Sequence, residues 1–193
     1  MDQTGSGLNA TDVDLLDRAW RADENAFLLL WDRHRTPLFR YACRLTGSVD
    51  TAEDVVHDCF LLLLSKRTRF DARQGVLRSF LFGVVRKLVF KRLKISERED
   101  DEPGQAATLP DQLGNLLTSE RSQLVATAVA ALPPLQREAL VLFEYEELSL
   151  EDVSGIVGVE VGVVKARLHR AREGLRRRLA PLLQSGPSER SSR

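Results

Sequence analysis

Apolar side chains recur along this chain with the period of a helix, and the breaks in that period divide it into segments. Val13, Leu15, Leu16, Ala19 and Trp20 predict a short amphipathic helix. Phe27, Leu30, Trp31, Leu38, Tyr41 and Leu45 predict a second over 26–45, which Pro37 should kink or split. Thr46-Gly47-Ser48 ends it, and Asp50 or Thr51 can cap a third helix from Ala52 to about Lys66. After a loop over 70–75, Leu77, Phe80, Leu81, Val84, Val85 and Leu88 predict a fourth helix to Leu93, with Arg78, Arg86, Lys87, Lys91, Arg92 and Lys94 around the rest of its surface. The period then stops. Residues 96–115 hold acids, prolines and glycines without apolar spacing, which predicts a flexible acidic linker.

Beyond the linker a helix is expected over 119–132, and Pro133-Pro134 starts another that runs to about Glu146. Ser149 to Asp152 resembles a capping box for a short helix to Val157. Gly158-Val159-Glu160 turns the chain into a long basic helix, 161–179, striped by Val164, Leu168, Ala171, Leu175 and Leu179. The expected fold is all-α: two small helical domains, the second a helix-turn-helix (winged-helix-like) domain. The boundaries are an acidic segment with a short helix over 1–24, a first domain over 25–95, a linker over 96–117, a second domain over 118–183 and a disordered tail over 184–193.

Charge changes this picture more than composition does. The 28 basic and 28 acidic side chains cancel, but not locally. Residues 25–94 carry 14 basic and 6 acidic side chains (+8), and 161–193 carry 9 and 2 (+7). Between them, 95–127 is −5 and 128–160 is −6, while 1–24 is −4. Two basic blocks around acidic ones suit two surfaces for nucleic acid or another polyanion, and an acidic linker can cover a basic face until a competitor displaces it. Only Cys43 and Cys59 are present, without CxxC spacing, so a disulfide scaffold or cysteine-rich zinc module is excluded. With His34 they are read as core or surface residues of the first domain, and no metal or other cofactor is expected. The N-terminus lacks signal-peptide character and no apolar run approaches the ~20 residues of a membrane span, so a soluble cytoplasmic protein is expected.

Two constellations stand out. The last two helices have helix-turn-helix order, with Lys165, Ala166, His169 and Arg170 together on the polar face near the start of the second, where base edges are reached. Arg167, Arg172, Arg176, Arg177 and Arg178 are better placed for phosphates. A basic surface helix of a bundle is the plain alternative. On the third helix, Asp54, His57, Asp58 and Leu61 fall at i, i+3, i+4 and i+7, with Leu64 beside them. Acids with an exposed leucine suit docking against a partner helix, and a solvated face is again the alternative.

Ala52 to Phe60 followed by the leucine run, Leu132 to Leu140, Leu148 to Val153, and Val161 to Arg172 together resemble the extracytoplasmic-function sigma factors of the sigma-70 superfamily. The resemblance covers about residues 25–94 and 119–182. It implies a non-enzymatic protein that binds core RNA polymerase, through the β′ clamp helices and the β flap, and directs initiation at promoters with minus-ten and minus-thirty-five elements. By position, Asp54, His57, Asp58, Leu61 and Leu64 would face polymerase. Arg73, Arg78, Phe80 and Phe82, with Arg86, Lys87 and Lys91 further along, would meet the melted minus-ten strand, where rings stack on bases and cations hold phosphates. Lys165, Ala166, Arg167, His169, Arg170, Arg172, Arg176 and Arg177 would serve the minus-thirty-five duplex. An anti-sigma factor is a further partner that such a protein can have. The chain departs from the family pattern at His57 (usually Gln), Phe80 (Trp), Gly83 (basic), Lys87 (Asn), Gly155 (Ala or Glu) and Val163 (Thr).

Two other readings remain. A helix-turn-helix regulator that never joins polymerase would use the second domain, but has no use for the acid-leucine stripe. A metal-dependent nuclease built on Asp54, His57 and Asp58 would need further ligands, which no spacing supplies.

Overall fold

The computed structural model describes residues 10–65, 70–73, 75–99 and 120–184. Among them are eight α-helices and no strand, so the second domain is a helix-turn-helix without a described wing. None of these helices is long and apolar enough to cross a membrane.

α1 (Asp12–Ala19) begins with a capping box: the Thr11 hydroxyl accepts from the Asp14 backbone and Asp14 returns a bond to the Thr11 N–H. It is not an independent segment. Leu15 and Leu16 are buried in the first domain's core, and Asp12 accepts from Arg33 (2.9 Å) and contacts His34 Nε2 (2.8 Å) on the next helix. α2 (Glu24–Thr46), capped by Asp23, runs through Pro37 without the expected split. Pro37 removes only one N–H from a helix of 23 residues, and Leu30, Leu38, Tyr41 and Ala42, on both sides of it, are held in the core. Gly47 ends the helix with φ 69°, a conformation that costs an L side chain about 1–2 kcal/mol.

α3 (Val49–Leu64) is capped by Ser48, not Asp50 or Thr51: the Ser48 backbone is extended and its hydroxyl accepts from Thr51 N. α4 (Leu77–Glu99) outlasts its predicted end at Leu93 and enters the segment assigned to the linker. The rest of the predicted linker, and the predicted tail beyond Gln184, which ends the last helix, lie outside the described residues. The core of this domain joins Leu15, Leu30, Leu38, Phe60, Leu63 and Leu81.

In the second domain α5 (Glu120–Ala130) leads to α6 (Pro134–Leu140), with proline in the first turn. One wide π-type turn, Val141–Tyr145, replaces the α-helix expected to continue to Glu146. The chain then passes through Glu147 at φ 53°. α7 (Leu150–Val157) is capped by Ser149 and ends at Gly158, φ 71°. α8 (Val161–Gln184) packs Val164, Leu168 and Ala171 inward.

The domains meet: α4 packs on α7, and α2 on α6 and the π turn.

The Asp12 cluster makes α1 sensitive to acid. The hydrogen bond from His34 is the main influence holding its carboxyl below the usual range, with Arg33 adding to it against the opposing effect of burial. Its stabilisation is therefore complete above the unfolded value of about 4 and is lost as pH falls through the lower folded value. Urea unfolding of wild type and Asp12→Asn should differ at pH 7 and converge toward pH 2.

Candidate nucleic-acid interface

Three surfaces carry the residues singled out by sequence. The first is the helix-turn-helix. Ser149 and Gly158 set the ends of α7, and the buried stripe of α8 rotates Lys165, Ala166, His169 and Arg170 outward, all exposed. This is the disposition of a helix able to enter a major groove with its N-terminal half. Arg176 and Arg177 are exposed two turns further on. Arg167 is half-buried, and Arg172 is engaged with Glu144 (2.6 Å) and lies over the Phe143 ring. Arg178 donates to Ala131 O, tying α8 to the end of α5.

The second is the α3 stripe. Asp54 and His57 are exposed, Asp58 is half-exposed, and Leu61 is 52% exposed. Leu64 differs: it is partly buried against the core. A residue that the reading by sequence missed completes the stripe, because Arg92 of α4 donates to Asp54 (3.0 Å) and Asp58 (2.7 Å). Its 38-residue separation from Asp54 leaves no local signal. The bond to Asp58 is the main influence raising the Arg92 pKa further. A groove beside the stripe, about 260 Å³, is lined by Trp31, Arg35, Phe39, Glu53 and His57. Among the described residues no group of three or more His, Cys, Asp or Glu side chains is gathered as metal ligands. Burial pushes the thiols of Cys43 and Cys59 up to about 12, so both are protonated and inert at neutral pH.

The third surface is the start of α4 and the loop before it. Arg73, Lys87 and Lys91 are exposed, and Phe80 is half-buried with its ring 5.4 Å from Phe70. Phe82, expected at the nucleic-acid surface, belongs to the core. It has no exposed area and meets Tyr41 edge-on at 5.3 Å, so it cannot stack on a base. On a helix the two phenylalanines, two residues apart, must point about 200° apart, and the core takes Phe82.

Arg78 and Arg86 are half-buried because the second domain covers them. Arg86 Nε donates to Glu138 Oε1 (2.7 Å), which also accepts from the Tyr41 hydroxyl (3.2 Å). Arg78 donates to the Glu146 carbonyl oxygen (2.6 Å), and Ser79 to Asp152 (2.7 Å). Bonds from the Ser149 and Ser79 hydroxyls hold Asp152 below the usual carboxylate range, that from Ser149 being the stronger influence. Burial pushes Glu146 up, against the pull of Arg40, Arg44 and Arg78. Burial also raises the Tyr41 phenol well above its ordinary value, so it donates as a neutral group. A cleft of about 360 Å³ remains between the domains, with Phe70, Phe80 and Lys87 on one wall and Glu151, Asp152 and Ile156 on the other. Gly83 and Gly155, both departures from the family pattern, line it.

Comparison with known proteins agrees with this division. Residues 30–99 match the Sigma-70 region 2 family and residues 122–175 the Sigma-70, region 4 family. The chain is 35% identical over 137 residues to the ECF RNA polymerase sigma factor EcfG of Rhodopseudomonas palustris, covering 70% of this chain and 75% of that protein. It is 26% identical over 175 residues to the ECF RNA polymerase sigma factor SigW of Bacillus subtilis, covering 84% and 93%. Among solved structures, the sigma factor RpoE of Bartonella quintana, in complex with the anti-sigma factor NepR, superimposes with a TM-score of 0.65 at 28% identity, covering 83% of this chain and 98% of that one.

The place of Phe82 is testable by stability. Phe82→Ala should lower the unfolding free energy by roughly 3–5 kcal/mol in urea titrations, and Phe80→Ala by clearly less.

Proposed function

Because the chain belongs to the ECF family of RNA polymerase sigma factors, we propose that it binds core polymerase and directs promoter-specific initiation, its first domain engaging the minus-ten element and its second the minus-thirty-five element. The observation that carries this reading is the pairing of two helical domains in region 2 to region 4 order, each presenting an exposed face of the chemistry its task needs. The protein works where polymerase and DNA are, in the cytoplasm, as an initiation factor, not as a catalyst.

In this reading Asp54, His57, Asp58 and Leu61 dock on the β′ clamp helices, with Leu64 supporting Leu61 from partial burial. Arg92 holds the two carboxylates ready and is the cation that a basic partner must displace. Phe80, Arg73, Lys87 and Lys91 serve the unpaired minus-ten strand by stacking and phosphate contact, while Phe82 supports them from the core. Lys165, Ala166, His169 and Arg170 address base edges of the minus-thirty-five duplex, and Arg176 and Arg177 its phosphates. An anti-sigma factor is a further partner of the same two domains. A regulator acting without polymerase is disfavoured, because such a protein has no use for a region 2 domain or its acidic docking stripe.

Asp54→Asn with Asp58→Asn removes both carboxylates without crowding new cations beside Arg92. Native helical content by circular dichroism and at least about tenfold weaker association with core polymerase are expected, since losing a charged pair at a desolvated contact costs 2 kcal/mol or more. Unchanged affinity would remove the docking assignment.

Specificity and affinity should separate along α8. Arg170→Ala should cost roughly 1–3 kcal/mol on the preferred minus-thirty-five duplex and little on random duplex. Arg177→Ala should weaken both alike and lower the salt slope by about one. Fluorescence anisotropy at several salt concentrations distinguishes the two patterns.

A further inference from the structure

Two arginines outside every set named above, Arg40 and Arg44 of α2, stand beside Arg78 and Arg86 of α4, and all four face carboxylates of the second domain. Arg86 meets Glu138 at 2.7 Å. Arg40, Arg44 and Arg78 surround Glu146 at 3.3, 3.8 and 3.9 Å. Both glutamates are buried in the closed chain. Among the described residues, their side chains take hydrogen bonds and ion pairs from the first domain alone.

This pairing has the chemistry of phosphate binding with a carboxylate in the phosphate's place, since the guanidinium fork donates to either anion. The charge blocks agree. The +8 stretch over 25–94 receives carboxylates from the −6 stretch over 128–160. Closure is also incompletely satisfied: Arg44 Nη1 and Glu146 Oε1 are buried without a hydrogen bond. Buried polar atoms left so are uncommon, and buried ion pairs gain little net free energy, so this contact can yield to a stronger polyanion. Beside it, Glu151 and Asp152 wall the cleft that holds Phe70, Phe80 and Lys87.

We propose that Arg40, Arg44, Arg78 and Arg86 form one phosphate-binding face for nucleic acid, and that in the free chain Glu138 and Glu146 occupy it as internal substitutes for phosphate. The second domain thus masks the first until the two separate. That the polyanion is DNA rests on the promoter-binding reading above.

The test uses the full chain without polymerase and a labelled 20-nucleotide DNA strand. Ser79→Cys with Asp152→Cys places a disulfide where the two side chains now hydrogen-bond at 2.7 Å. With the cross-link verified by mass spectrometry, the oxidised chain should bind the strand at least about tenfold more weakly than the reduced chain, because the four guanidinium groups stay paired with Glu138 and Glu146. Equal affinity in the two states overturns the mask. Independently, Glu138→Gln with Glu146→Gln should bind the strand more tightly, increase the radius of gyration in solution scattering, and steepen the salt slope by about two to three. Adding Arg40→Ala and Arg44→Ala should reverse that gain. Expansion without a gain, or a gain that survives loss of both arginines, overturns the phosphate face. Holoenzyme formation is measured separately. A chain that joins polymerase but gains no DNA affinity on opening refutes only the mask, whereas one that gains affinity but never joins polymerase refutes the sigma reading.

Discussion

Glu138 has no exposed surface and its charge is answered from the other domain, by Arg86 and by the Tyr41 hydroxyl. A carboxylate buried without partners would be costly, so the position of α6 relative to α2 and α4 is set by where those two donors stand. Tyr41 is in turn locked edge-on against Phe82 in the first domain's core. One chain of contacts thus runs from the packing of the first domain to the placement of the second. The π turn extends it: after the wide turn at Val141–Tyr145, Glu146 is delivered to three more arginines of the first domain.

This arrangement divides the functional surfaces unequally. The acid-leucine stripe of α3 and the outer face of α8 remain exposed in the closed chain, while Arg78 and Arg86 of α4 are engaged by the second domain. In the proposed assignment, the polymerase-docking surface is open in the closed chain, whereas the minus-ten surface has two of its arginines, Arg78 and Arg86, engaged by the second domain. Binding of polymerase or of duplex DNA can then precede separation of the domains, and capture of the unpaired strand follows it. The ordering needs no extra component, only the competition between carboxylate and phosphate for the same guanidinium groups.

The structural departures from expectation share one cause. Period and charge place a residue on a helix face, but what covers that face depends on residues far away in sequence. Phe82 satisfies the composition of a stacking surface and is taken by the core, whereas Phe80, two positions earlier, stays beside Phe70. Leu64 lies beside an exposed stripe in sequence and packs partly inward. Pro37 should interrupt α2, yet apolar contacts on both sides hold the helix through it. Asp54 and Asp58 share a face that sequence assigns to a docking partner, and Arg92 from another helix bridges them.

The helical fold, the order of the two domains, the caps at Ser149 and Gly158, the outward face of α8 and the alternation of charge blocks are all legible in the amino-acid order. Each depends on interactions within a few residues or on a period repeated along one helix, and these are readable in one dimension. That the acidic block at 128–160 faces the basic block at 25–94 emerges from the packing of the folded chain. The meeting of Glu138 with Tyr41 and Arg86, and of Glu146 with Arg40, Arg44 and Arg78, joins residues 52 to 106 positions apart. Nothing local selects those pairs. They are chosen by the packing of α6 and α7 against α2 and α4, where a buried carboxylate must find a cation or a hydroxyl within reach.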